Sequence, residues 1–111
     1  MEHFFTYDSR LGISVPELPR SFSSYSIEQQ AIILAEWENH RGAIPDRVKE
    51  LEREIDQCLY KLNREEDFEA SCRLNNQISE FASTINDLWI WYRTNPHITS
   101  SKNNEKALPI K

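Results

Sequence analysis

Two cysteines carry the most reactive side chains in this 111-residue chain. Cys58 and Cys72 lie about equally far from a turn predicted near Glu65, so they could face each other across a helical hairpin. A redox pair is one interpretation, but packed helix axes lie about 8–10 Å apart, whereas a disulfide needs Cα atoms within about 6.8 Å. We therefore expect two reduced, buried thiols that act as small apolar side chains.

The other groups with chemical potential do not form a catalytic pattern. His3, His40 and His97 fall in separate segments, and no His-x-x-x-His or Cys-x-x-Cys spacing occurs. Only two glycines are present, which argues against phosphate-binding loops and nucleophile elbows. We therefore expect no cofactor, no metal and no enzymatic activity.

Four acidic residues cluster at the predicted turn: Glu65, Glu66, Asp67 and Glu69. Paired carboxylates need a pocket for acid–base catalysis, and the tip of a hairpin offers none. The simplest interpretation is a solvated turn whose charges suit the positive ends of helices. Recognition of a basic partner is the alternative.

The segment Trp89-Ile90-Trp91-Tyr92 places four large side chains within about one helical turn. Such residues point in nearly all directions around a helix, so one side must be covered by other parts of the chain or exposed. Exposed tryptophan and tyrosine would form a binding hot spot. Coverage by the N-terminal region and the first helix is the other interpretation.

Three helices must position these groups. Ser26 and Gln29 form a predicted capping box for a helix over 27–41, which Gly42 ends or bends. A second helix over 45–63 and a third over 67–93 are joined by a short turn and must run antiparallel. The second helix has an apolar seam with coiled-coil spacing: Ile44, Val48, Leu51, Ile55, Cys58 and Leu62.

The two ends of the chain differ in character. Residues 1–25 contain Pro16 and Pro19 and look irregular, yet they are rich in aromatic residues. We expect an extended arm that covers the helices; a docking arm for another chain and a short hairpin around residues 8–12 are the alternatives. Residues 95–111 are polar and aperiodic, which predicts a disordered tail.

Charge and hydropathy narrow the functional classes. The net charge of −5 argues against a broad nucleic-acid-binding face and against adhesion to anionic membranes. No apolar run approaches the roughly 18 residues of a spanning helix, and the N-terminus lacks signal-peptide features. We therefore expect a soluble, cytoplasmic protein that binds neither membrane nor, in the leading interpretation, nucleic acid.

Residues 67–78, with the sequence DFEASCRLNNQI, resemble the UVR motif of bacterial excision-repair subunits B and C and of Clp-type ATPase regulators. The family pattern is roughly D-F-E-x-A-A-x-L-R-D-x-I, and Asp67, Phe68, Glu69, Leu74 and Ile78 match at the same spacing. Asn75 and Asn76 replace an Arg-Asp pair, and the likeness covers about residues 48–82. It implies a bacterial, protein-binding helical hairpin that pairs with another hairpin.

These observations predict an all-α protein with a long antiparallel hairpin, a shorter preceding helix, an extended arm and a disordered tail. The predicted function is protein–protein interaction as an adaptor or regulator, with another protein or a second copy of the chain as partner. The candidate binding residues are Phe68, Glu69, Arg73, Trp89, Trp91 and Tyr92. A small regulator linked to nucleic acid is the alternative; its basic residues would be Arg47, Lys49, Arg53, Lys61, Arg64 and Arg73.

Overall fold

The computed structural model describes residues 4–94, which are mostly helical. Two short strands, β1 (Phe5–Asp8) and β2 (Ile13–Pro16), precede a single 3₁₀ turn (Phe22–Ser24). Three helices follow, α1 (Ile27–Arg41), α2 (Ile44–Arg64) and α3 (Phe68–Tyr92). The predicted tail over 95–111 lies outside the described residues.

The N-terminal region is a β-hairpin, which was one of the alternatives to the expected extended arm, so the mostly helical fold also contains a small two-stranded sheet. β1 and β2 pair antiparallel, with Asp8 opposite Ile13 at the turn end. The Gly12 N–H donates to the Asp8 carbonyl at 2.7 Å, and Gly12 has a φ of +80°, a conformation that glycine adopts without steric cost. The Asp8 side chain also accepts from the Leu11 N–H at 3.0 Å. Local turn chemistry therefore folds the segment back on itself.

The first two helices form one long bent helix. The predicted capping box at Ser26 and Gln29 is present and starts α1. Gly42 keeps a right-handed helical conformation, with φ −63° and ψ −19°, instead of the left-handed one that usually ends a helix. Pro45 lies in the first turn of α2, where its missing N–H and its ring interrupt the helical hydrogen-bond ladder. The chain therefore bends here rather than reversing.

α2 and α3 form the antiparallel hairpin, and the N-terminal segment packs over its open end. One core cluster joins Leu11 and Ile13 of the β-hairpin to both long helices through the buried residues Ile44, Val48, Leu51 and Leu88. A second cluster fastens the 3₁₀ turn to α1 through Leu18, Phe22, Tyr25 and Ile33. The β-hairpin therefore covers the helices and supplies the second layer that two helices alone lack.

Two arginines tie the β-hairpin turn to both long helices. Arg47 of α2 donates from Nε to the Leu11 carbonyl at 2.9 Å and from Nη2 to the Arg10 carbonyl at 3.3 Å. Arg10 in turn pairs with Asp87 of α3 at 2.9 Å. The β-hairpin thus closes the molecule at the end where α2 begins and α3 finishes. We call this end, together with the β-hairpin and α1, the body.

No helix within residues 4–94 has both the length and the apolarity needed to cross a membrane.

Candidate functional site

The packed core stops about two-thirds of the way along α2. Residues seven positions apart lie on nearly the same face of a helix. Leu51 and Cys58 are buried at this spacing along α2, whereas Glu65, seven residues further on at the C-terminal cap, is exposed. On α3 the same step leads from buried Thr84 to exposed Gln77. Cys58 and Gln77 touch across the hairpin, with Sγ and Oε1 3.7 Å apart. Beyond this contact, residues 59–77 form a distal hairpin that the core does not cover.

The turn between the helices is built by its own acidic residues. Asp67 caps α3 by accepting a hydrogen bond from the Ala70 N–H at 2.8 Å, and the Glu65 carboxylate accepts from the Asp67 N–H at 3.1 Å. These contacts agree with the interpretation of the acidic cluster as helix-end charge. The cap places Phe68 and Glu69 in the first turn of α3, where both side chains are exposed.

Among residues 4–94, Phe68 is the most exposed large apolar side chain, with 78% of its surface accessible. The apolar positions of the third helix run from Phe68 through Leu74 and Ile78 to Tyr92, which predicts that Phe68 packs against α2. Its exposure shows that this prediction is wrong. Phe68 lies in the first turn of α3, at the end of the hairpin where residues 65–67 join the two long helices. A bare phenylalanine at the tip of a protrusion is typical of a residue that inserts into a partner.

A groove of about 650 Å³ runs along one side of the distal hairpin, between α2 and α3. We call it the tip groove. Its lining residues are Tyr60, Lys61, Arg64, Glu65, Ala70, Arg73, Leu74, Asn76 and Gln77. Apolar surface dominates the lining, while Asn76 and Gln77 supply amides at the end nearer the body. The groove therefore combines an apolar floor with hydrogen-bonding edges, the usual composition of a recognition surface.

The charge of the tip groove is opposite to that of the chain. Lys61, Arg64 and Arg73 stand against a single carboxylate, Glu65, so the lining has a formal charge of +2 in a chain of −5. The Arg64 guanidinium stacks over the Tyr60 ring, 4.5 Å from its centroid, which holds it beside the groove.

The arginines of the body differ from the cations of the tip groove in their ion pairs. Arg10, Arg41 and Arg47 each pair with a carboxylate. Among residues 4–94, neither Lys61 nor Arg73 forms an ion pair. Arg73, predicted from the sequence as a binding residue, thus reaches the groove with its charge unpaired.

The predicted aromatic end lies at the opposite end of α3 and is partly covered. Trp91 meets Trp37 of α1 edge-on, with ring centroids 5.8 Å apart, and Trp89 meets Tyr92 at 5.3 Å. Arg41 lies over the Tyr92 ring at 5.3 Å. Each of the three predicted residues is half-buried against the core. The structure therefore separates the six predicted binding residues into an exposed tip group and a packed body group.

The cysteines differ from each other, and the expectation that both are buried is wrong for one of them. Both thiols are free; Cys58 is buried and Cys72 is exposed. Cys72 lies two residues before Leu74, which is half-buried and lines the groove between the helices, so helical geometry turns Cys72 away from α2. Within residues 4–94, no cluster of three or more histidine, cysteine or acidic side chains could hold a metal ion.

The basic residues named for nucleic-acid binding do not form one surface. Arg47 is engaged with the β-hairpin turn and with Glu50, 3.0 Å away. Lys49 and Arg53 are exposed on the part of α2 nearer the body, whereas Lys61, Arg64 and Arg73 border the tip groove.

Comparison of the chain with known protein families, curated proteins and solved structures finds no match.

The tip groove itself was not predicted as a site. Tyr60 and Leu74 lie on its wall and were not among the candidate binding residues, although the charges around them were noted. Their exposure depends on where the β-hairpin stops covering α2 and α3, which is a long-range property. The available signal was the presence of Leu59 and Tyr60 outside the coiled-coil seam, since large apolar residues there have no helix to pack against.

Proposed function

We propose that this chain is a non-enzymatic protein–protein interaction module, an adaptor or regulator that binds its partner with the distal hairpin. The observation that carries this proposal is the exposure of Phe68, 78% accessible in the first turn of α3 at the end of the hairpin. The tip groove lies on the same distal hairpin and is a second uncovered surface there. Exposed apolar side chains grouped on a protrusion favour association with another surface. Arg73 lines the groove, and Glu69 lies next to Phe68 in the first turn of α3; both would contribute specificity.

The preferred partner is a different protein. A two-helix hairpin needs a second layer, and a second copy of the chain is one way to supply it. Here the β-hairpin already provides that layer where α2 begins and α3 ends, through Leu11 and Ile13. The closed body therefore removes the main physical reason for self-association, and the open distal hairpin is left for another protein.

The likeness of residues 67–78 to the UVR motif supports the same proposal. The hairpin of that family is a protein-binding module, and the matching residues Asp67, Phe68 and Glu69 lie at the turn of this hairpin. The proposal also accounts for the aromatic end, since Trp89, Trp91 and Tyr92 are half-buried and serve the body rather than the partner.

The test is a comparative capture from lysate with three forms of the full chain: wild type, Phe68→Asp and Ile32→Asp. Ile32 lies on α1 and is 57% exposed, so its variant introduces the same charge on an exposed apolar site away from the tip. We expect a defined set of proteins that wild type and Ile32→Asp retain and Phe68→Asp loses. Capture that is the same for all three forms would contradict the proposal, provided that circular dichroism shows equal helicity.

A further inference from the structure

We propose that the occupant of the tip groove is an amphipathic helix of the partner protein that presents acidic side chains beside its apolar stripe. This inference rests on the proposed function and specifies the partner's chemistry. It is argued from the position of the groove, its length and its charge.

The tip groove is the continuation of the face on which the chain's own β-hairpin packs. Near the body, the turn of the β-hairpin contacts α2 through Arg47 and α3 through Asp87. Seven-residue steps from the buried residues Cys58 and Thr84 toward the tip lead to Glu65 and Gln77, which line the groove. A segment laid in the groove would therefore extend the layer that the β-hairpin begins.

The length and lining of the groove suit a helix of about two turns. Ala70 and Gln77 mark its extent along α3, a span of about 10 Å at 1.5 Å per residue. Tyr60 and Leu74 supply apolar contacts from the two walls. An amphipathic helix that lies in such a groove presents one apolar stripe to the floor and polar residues to both rims.

The charge at the rims selects acidic residues. Lys61 and Arg73 are free of ion pairs among the described residues, and Arg64 is held in place by Tyr60. With Glu65 as the single opposing carboxylate, the lining carries +2. Carboxylates on the bound helix would face unpaired cations, whereas lysines there would be repelled.

The same charge disfavours a second copy as the occupant. In a symmetric dimer the same patch lies on both subunits, so a groove-to-groove contact would bring Lys61, Arg64 and Arg73 close to their own copies. Like charges in a shared interface are destabilising. A partner with acidic flanks meets no such repulsion.

The test uses two synthetic helical peptides of about 14 residues, roughly four turns. Both carry leucines at helical spacing; glutamates fill the flanks of one and lysines those of the other. Fluorescence anisotropy of the labelled peptides measures their binding to the full chain. A double variant, Lys61→Glu with Arg73→Glu, reverses two charges of the groove. Lys49→Glu with Arg53→Glu makes the same change on exposed sites of α2 outside it.

We expect the acidic peptide to bind about tenfold tighter than the basic one, because two or more rim charges change sign. The groove variant should remove this preference, whereas the control variant should change affinity by less than about twofold. Raising the salt to about 1 M, where the screening length is about 3 Å, should weaken binding of the acidic peptide.

Three results would overturn the inference. Equal or tighter binding of the basic peptide, lost in Leu74→Glu, would mean that the groove takes a helix of other chemistry, and the proposed function would stand. A dimer in light scattering that the groove variant dissociates would make a second copy the occupant. Salt-dependent binding of duplex DNA that the groove variant abolishes, with neither peptide bound, would assign the site to nucleic acid and would contradict the proposed function as well.

Discussion

The exposure of Phe68 leads to a prediction about stability that separates a binding residue from a core residue. Full burial of a phenylalanine side chain contributes up to about 3 kcal/mol. With 78% of its surface accessible, Phe68 buries the remaining 22%, which corresponds to about 0.7 kcal/mol. Alanine is also the better helix former by a few tenths of a kcal/mol. Phe68→Ala should therefore lower the free energy of unfolding by less than about 0.5 kcal/mol.

Leu88→Ala is the matched comparison on the same helix. Leu88 is fully buried between the β-hairpin and α2, so truncation should cost about 2–5 kcal/mol. Urea titration followed by circular dichroism measures both variants, with the slope of the transition checked for constancy. A loss above about 1.5 kcal/mol for Phe68→Ala would refute the reasoning, because the side chain would then be packed in the free protein.

Two further predictions concern the contact between Arg47 of α2 and the turn of the β-hairpin. Arg47→Met should lower the free energy of unfolding by about 1.5–3 kcal/mol, since it removes a charged hydrogen bond to the Leu11 carbonyl; Arg53→Met, at an exposed site, should change it by less than about 0.5 kcal/mol. Equal effects of the two substitutions in urea titration would show that the contact of Arg47 with the β-hairpin turn does not contribute to the free energy of unfolding. Gly12→Ala should cost at least about 1–2 kcal/mol, because φ is +80° and the new Cβ would collide with the Arg47 side chain. Gly42→Ala, at a φ of −63°, should lower thermal stability by less than Gly12→Ala does. A larger loss for Gly42→Ala than for Gly12→Ala would contradict the described turn at Gly12.

The helices follow from patterns that act over short distances. The spacing of the α2 seam and the capping signals at Ser26 and Asp67 predict helices and their starts, because each depends on neighbours within a few residues. The bend at Gly42 was one of two alternatives, and the helical signals on both sides did not decide between them. Pro45 interrupts the hydrogen-bond ladder without reversing the chain.

The β-hairpin and the tip groove depend on contacts that a linear pattern does not contain. Each strand has four residues, too few for a clear alternation, and prolines near the second strand favoured an irregular arm. The groove lies beyond the reach of the β-hairpin, because the core cluster that Leu11 and Ile13 share with α2 extends only to Leu51. The sequence therefore offered the turn residues Phe68 and Glu69 as candidate binding residues, but it could not locate the groove between α2 and α3.

The most direct test of the central claim is photo-crosslinking in the cells that produce this protein. A benzoylphenylalanine placed at Phe68 probes the tip, and one placed at Ile32 probes an exposed apolar site on α1 as the control. We expect a discrete adduct with another protein from position 68 and none of that mass from position 32. The same adducts from both positions, or none from position 68, would contradict the claim that the distal hairpin binds the partner.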